Sequence, residues 1–158
     1  MRESPSKLWL LLIVVGMALR MTTLLYPVHE QMHAEMVGLT GGTVVSMTNN
    51  HITWIDGNAT AILFFGYGGE VLLYALGALL FKRIGLGCYG VMLIAGLHAV
   101  GSTDFEKLGG GFLLLHLAIW LLLVVLIAWL TYVRYRVVEA PGEQKQSQPV
   151  EFRAQLHR

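Results

Sequence analysis

Charge is what this chain has least of. Only 13% of its 158 residues are Asp, Glu, Lys or Arg, while 55% are hydrophobic and the mean hydropathy is +0.60. Eleven Lys and Arg against ten Asp and Glu leave a net +1, so there is no basic surface for a nucleic acid. Cysteine is nearly absent: Cys88 stands alone, closes no internal disulfide and says nothing of redox compartment. Aspartate is scarce as well, with Asp56 and Asp104 the only two. The apolar residues come in long blocks rather than periodic stripes. A bilayer is the solvent that stabilises uninterrupted apolar helices, so a soluble globular domain and a disordered chain are both excluded.

Four apolar blocks predict four transmembrane helices, at about 8–26, 59–81, 86–103 and 112–133. Together they form one integral membrane domain over 1–138 in an all-α fold. The first block follows Lys7, is interrupted only by Arg20 and reads as an uncleaved span, because a secretory signal has a shorter apolar core and a small-residue cleavage site. The segment 139–158, polar and holding Pro141 and Pro149, has too few apolar residues to pack and is expected to be a mobile tail. Basic residues cluster at Arg2 and Lys7, Lys82 and Arg83, and Arg134 and Arg136, whereas the loop from Pro27 to Asn58 has none. The positive-inside rule then puts both termini and the Lys82–Arg83 loop in the cytoplasm. The Pro27–Asn58 and Ser102–Gly111 loops share the opposite face, and they contain nearly every group able to do chemistry.

Within the first of these loops, Val28 to Val37 reads as helix and is followed by the breakers Gly38, Gly41 and Gly42. Two β-branched and aromatic runs come next, Thr43 to Thr48 and His51 to Ile55, separated by Asn49-Asn50. Asparagine tolerates the positive φ of a two-residue hairpin turn, so a short β-hairpin is expected between the first and second spans.

His29-Glu30-Gln31-Met32-His33 matches H-E-x-x-H. On a helix, residues four apart project from one face, so His29 and His33 can offer imidazole nitrogens to one Zn²⁺. Glu30 borders that face and is placed to act as general base toward water. Composition alone would produce roughly 0.01 such matches in a chain like this. Two histidines leave a zinc site one protein ligand short. Asp104, at the end of the third span and on the same side of the membrane as the histidines, is the first choice, with Asp56, Glu70, His98 and, more distantly, Glu106 as competitors.

Other groups carry weaker signals. Gly66, Gly68 and Gly69 permit close helix approach in lipid. Glu70, an ionisable group midway along a span, must be protonated, paired or facing water; it is placed either to accept the second N–H of a metal-bound histidine or to make a structural hydrogen bond. Tyr67 is placed to share its cavity. Arg20 by default snorkels to the interface, with Glu70 as its alternative partner. His98 and His116 read as interfacial or interhelical groups.

From Tyr26 to Leu108 the chain resembles the site-2 protease-like intramembrane zinc metalloproteases, particularly small members without accessory domains. The likeness rests on the HEQMH element, Ala34, Gly41-Gly42, the β segment at Thr43 to Ile55, the glycine-rich run Phe65 to Glu70 and the late aspartate in Ser102-Thr103-Asp104. It implies His29, His33 and Asp104 as zinc ligands and Glu30 as general base. The expectation is a zinc metalloendopeptidase that cleaves a membrane-associated protein or peptide. The competing expectation is a non-proteolytic membrane scaffold or complex subunit that keeps the fold. A haem or quinone protein is disfavoured, because paired axial histidines belong on facing spans rather than four residues apart.

Overall fold

The computed structural model describes residues 5–139, so the tail expected at 139–158 lies, Glu139 apart, outside the described residues. The order is α1 (Pro5–Met21), a 3₁₀ turn (Thr23–Leu25), α2 (Tyr26–Leu39), β1 (Thr43–Met47), β2 (Ile52–Ile55), α3 (Ala59–Leu80), α4 (Arg83–His98), α5 (Thr103–Leu108) and α6 (Gly110–Glu139). The chain is therefore mostly helix with one antiparallel hairpin between α2 and α3.

Among the described residues two helices, not four, are long and apolar enough to cross a bilayer: Ala59–Leu80 and the stretch Gly110–Arg134 of α6. The block expected at 8–26 breaks where α1 gives way to the 3₁₀ turn. α1 and α2 meet there at 71°, and together they would make a third, broken span. The block expected at 86–103 is helical only to His98, because α4 ends before Gly101, which takes φ +80°. Its 16 residues rise about 24 Å, short of a hydrocarbon core of about 30 Å.

Local chemistry sets the boundaries. Pro27 lies in the first turn of α2, where its missing N–H costs nothing. The helix ends as the Thr40 hydroxyl and amide turn back to the Met36 carbonyl and the Gly42 amide reaches Val37. Asn58 caps α3 by accepting from the Ala61 amide at 3.0 Å. The hairpin pairs Thr43 with Ile55, Val44 with Trp54, Ser46 with Thr53 and Met47 with Ile52, with a bulge between Val44 and Ser46. Its turn falls at Asn49-Asn50, closed by the Thr48 amide on the His51 carbonyl, yet neither asparagine has positive φ. The turn is therefore not the primed type on which the sequence argument rested. The bulge supplies local twist instead.

α1 packs on α4, α4 on α3 and α3 on α2. A Cβ at Gly16 would meet the Gly87 carbonyl and one at Gly90 the Ile13 carbonyl, so the α1–α4 backbones touch where only glycine fits. The core joins Val71, Ala75 and Ala78 of α3, Met92 and Ala95 of α4, and Ile127 of α6. Trp120 fits over Gly96 and donates its indole N–H to the Met92 carbonyl at 3.1 Å. Large apolar side chains such as Leu10, Leu76, Leu122 and Val125 face outward, as lipid contact requires.

Candidate metal centre

α2 carries both histidines of the HEQMH element, and α3 packs against the face from which they project. Gly66 makes that contact possible. A Cβ there would fall on the imidazole of His33 and within 2.9 Å of that of His29. The Ile62 carbonyl, one turn earlier on α3, accepts from His33 Nδ1 at 2.7 Å. A carbonyl can only accept, so Nδ1 carries the proton and Nε2 of neutral His33 presents a lone pair.

The third group comes from α5. Ser102 caps this helix, accepting from the Phe105 amide at 3.4 Å, and Phe105 is buried beside Phe64 and Tyr67. Asp104, held in the first turn, aims Oδ2 at the histidines. Oδ2 lies 3.2 Å from His33 Nε2 and 3.5 Å from His29 Nε2, and the two nitrogens are 3.1 Å apart. A point equidistant from these three atoms lies about 1.9 Å from each, close to the zinc–nitrogen and zinc–oxygen bond lengths of about 2.0–2.2 Å, so His29, His33 and Asp104 could hold an ion of that size. Three lone-pair donors crowded this closely require a cation or a proton between them, and the donor set suits zinc. Among the described residues, no other group of three His, Cys, Asp or Glu converges in this way.

Burial alone would raise the Asp104 pKa. Hydrogen bonding to His29 and His33 outweighs burial and holds its carboxyl well below the ordinary carboxylate range. Asp104 is thus an anion throughout the physiological range.

The site opens into a cavity of about 590 Å³. Glu30 lines it beside His29 and His33 and is only 7% exposed. Ile52 and Trp54, alternate residues on one face of β2, line it from the hairpin, and Lys107 and Thr103 line it from α5. His51, Asn50 and Lys107, none of them expected at the site from the sequence, belong to this lining; a polar residue at a turn or on a short helix gives no pattern that marks it as cavity-lining.

The other ligand candidates separate. Asp56 ends the hairpin, exposed and at φ +59°, and Glu106 is exposed on α5. His98 lines the cavity without joining the three donors. Glu70 lies behind His29, its Oε2 3.5 Å from Nδ1. Arg20 does not snorkel: it is 1% exposed and grips Glu70, Nε to Oε1 at 2.6 Å and Nη2 to Oε2 at 3.0 Å. The ring of Tyr67 lies 4.2 Å from that of His29, on the cavity side. His116 is buried and packs its ring on Phe105.

No protein-family model, curated protein or solved structure matches this chain.

Proposed function

We propose that this chain is an intramembrane zinc metalloprotease of the site-2 protease-like kind, hydrolysing a peptide bond in a membrane-associated substrate. The observation that carries this reading is the triangle of His29 Nε2, His33 Nε2 and Asp104 Oδ2, with Glu30 on the same cavity wall. His29, His33 and Asp104 would hold the ion. Bound zinc supplies a Lewis acid that makes water nucleophilic near neutral pH. Glu30 would take a proton from the attacking water and return it to the leaving amine; a carboxylate only 7% exposed on the cavity wall is placed for both transfers.

A helical substrate shields its peptide bonds and must unwind before attack. β2 flanks the cavity, and the edge of β2 away from β1 pairs with no other strand among the described residues. An extended segment added along that edge would lie beside the three donors, its alternate side chains meeting Ile52 and Trp54. In the bilayer α1 and α4 cross as short spans beside α3 and α6, with both termini cytoplasmic, as the basic clusters favour.

Purified wild type in detergent is expected to carry one zinc per chain and to cleave transmembrane-segment peptides. Glu30→Gln is expected to keep the zinc and lose cleavage. A wild-type protein that holds zinc in this site and cleaves no member of a broad panel of such peptides would favour the scaffold instead.

A further inference from the structure

We propose that Glu70 and Arg20 are positioning residues for the metal centre: Glu70 holds the outer nitrogen of His29, and Arg20 holds Glu70. This rests on the metal-centre reading and extends it to two residues that touch none of the three converging donors.

Glu70 is fully buried at mid-length of an apolar helix, and Arg20, on α1, is 1% exposed. A carboxylate and a guanidinium in such surroundings are costly, and apolar side chains would tie α1 to α3 as well or better. What the pair supplies beyond a tie is direction. Glu70 lies four residues after Gly66, so both occupy one face of α3: Gly66 leaves room for the two rings, and Glu70 stands behind one of them. His29 Nδ1 is buried with no hydrogen-bond partner closer than Glu70 Oε2, which faces it at 3.5 Å. A shift of a few tenths of an ångström closes a hydrogen bond that leaves the Nε2 lone pair aimed at Asp104 and His33. His33 already has this arrangement, with the Ile62 carbonyl as its outer partner. The two histidines are therefore supported from behind by different means, one by a backbone carbonyl and one by a carboxylate.

Arg20 fixes the second support. Its Nε and Nη2 engage both oxygens of Glu70, and its guanidinium lies 5.4 Å from the Tyr26 ring centre, so the carboxyl group is held in place behind His29. A carboxylate behind a metal-bound imidazole orients the ring and raises its basicity, and losing one weakens metal binding about 10–100-fold.

The test uses full-length protein in detergent, with zinc affinity read by chelator competition and folding read by helicity and melting of the zinc-stripped form. Arg20→Met with Glu70→Leu removes both charges together and leaves neither unpaired. Arg20→Met with Glu70→Gln keeps an amide oxygen where His29 needs an acceptor. The first pair is expected to fold and to bind zinc about 10–100-fold more weakly, the second to recover part of that loss. If the first pair, Arg20→Met with Glu70→Leu, folds and keeps wild-type zinc affinity, the proposal is overturned and the metal-centre reading stands. Wild type that binds no zinc overturns both. Should neither double variant fold, ¹⁵N-histidine spectra of zinc-loaded wild type decide: His29 bound through Nε2 with its proton on Nδ1 is expected, and binding through Nδ1 refutes the proposal.

Discussion

Gly66 lies directly against His33, so close that a single added methyl group would occupy the space of the imidazole. The spacing between α2 and α3 is therefore set where the metal ligands are, and a residue with no side chain determines whether two others can converge. Gly66→Ala is expected to weaken zinc binding at least tenfold. Gly68→Ala is the control, since a Cβ there meets Phe64 at an ordinary 3.5 Å. Chelator competition on both variants checks this; equal affinities would mean the rings have room to move.

Glu30 lines the cavity without being one of the three converging donors. Glu30→Gln is expected to lower peptide cleavage about 10²–10⁴-fold, the usual share of a general base, at unchanged zinc stoichiometry. His29→Ala and His33→Ala are expected to lose zinc and cleavage together. Metal analysis beside a cleavage assay separates the two patterns.

Asp104 sets a pH dependence whose sign follows from its depressed pKa. A carboxyl held lower in the folded than in the unfolded protein, where it titrates near 3.9, adds stability at neutral pH that is lost as pH falls. The melting difference between zinc-stripped wild type and Asp104→Asn should hold from about pH 6.5 to about 5 and shrink below that; above pH 6.5 it should decline as His29, which burial alone would lower but hydrogen bonds to Asp104 and Glu70 raise to about 9, gives up its proton. A difference that grows on acidification below about pH 5 would contradict the pairing with His29 and His33.

The glycine contact between α1 and α4 makes a prediction about stability alone. Gly90→Leu drives a side chain into the Ile13 carbonyl and should cost at least the 1–3 kcal/mol typical of overpacking. A thermal shift in detergent measures this, with Gly110→Leu, where a Cβ meets nothing within 4 Å, as the tolerated comparison.

Much of the site was legible because its signals are local. Four-residue spacing puts His29 and His33 on one helix face whatever the surroundings, and two aspartates in the whole chain left few choices for a third donor. The hairpin was legible from its β-branched runs, though not its turn, because φ at Asn49 and Asn50 depends on how the bulge distributes twist. Span count was less legible. Hydropathy sees residues 86–103 as continuous, whereas Gly101 and the Ser102 cap end one helix and start another. Arg20 was misread for a related reason. Snorkelling is the default for a lone cation near a span end, and its pairing with Glu70, fifty residues away, depends on which face of α3 turns toward Arg20. The Ile62 carbonyl had no signal at all, since a backbone atom is the same in every residue.

X-ray absorption at the zinc edge, on wild type and on His29→Ala, His33→Ala and Asp104→Ala, bears most directly on whether two imidazoles and one carboxylate share an ion. One zinc per chain is expected, with nitrogen and oxygen neighbours at about 2.0–2.2 Å and the scattering pattern of two imidazoles, falling to one imidazole or to lost metal in each histidine variant. Zinc that stays bound with two imidazole neighbours after either histidine is removed, or with unchanged affinity in Asp104→Ala, would contradict it.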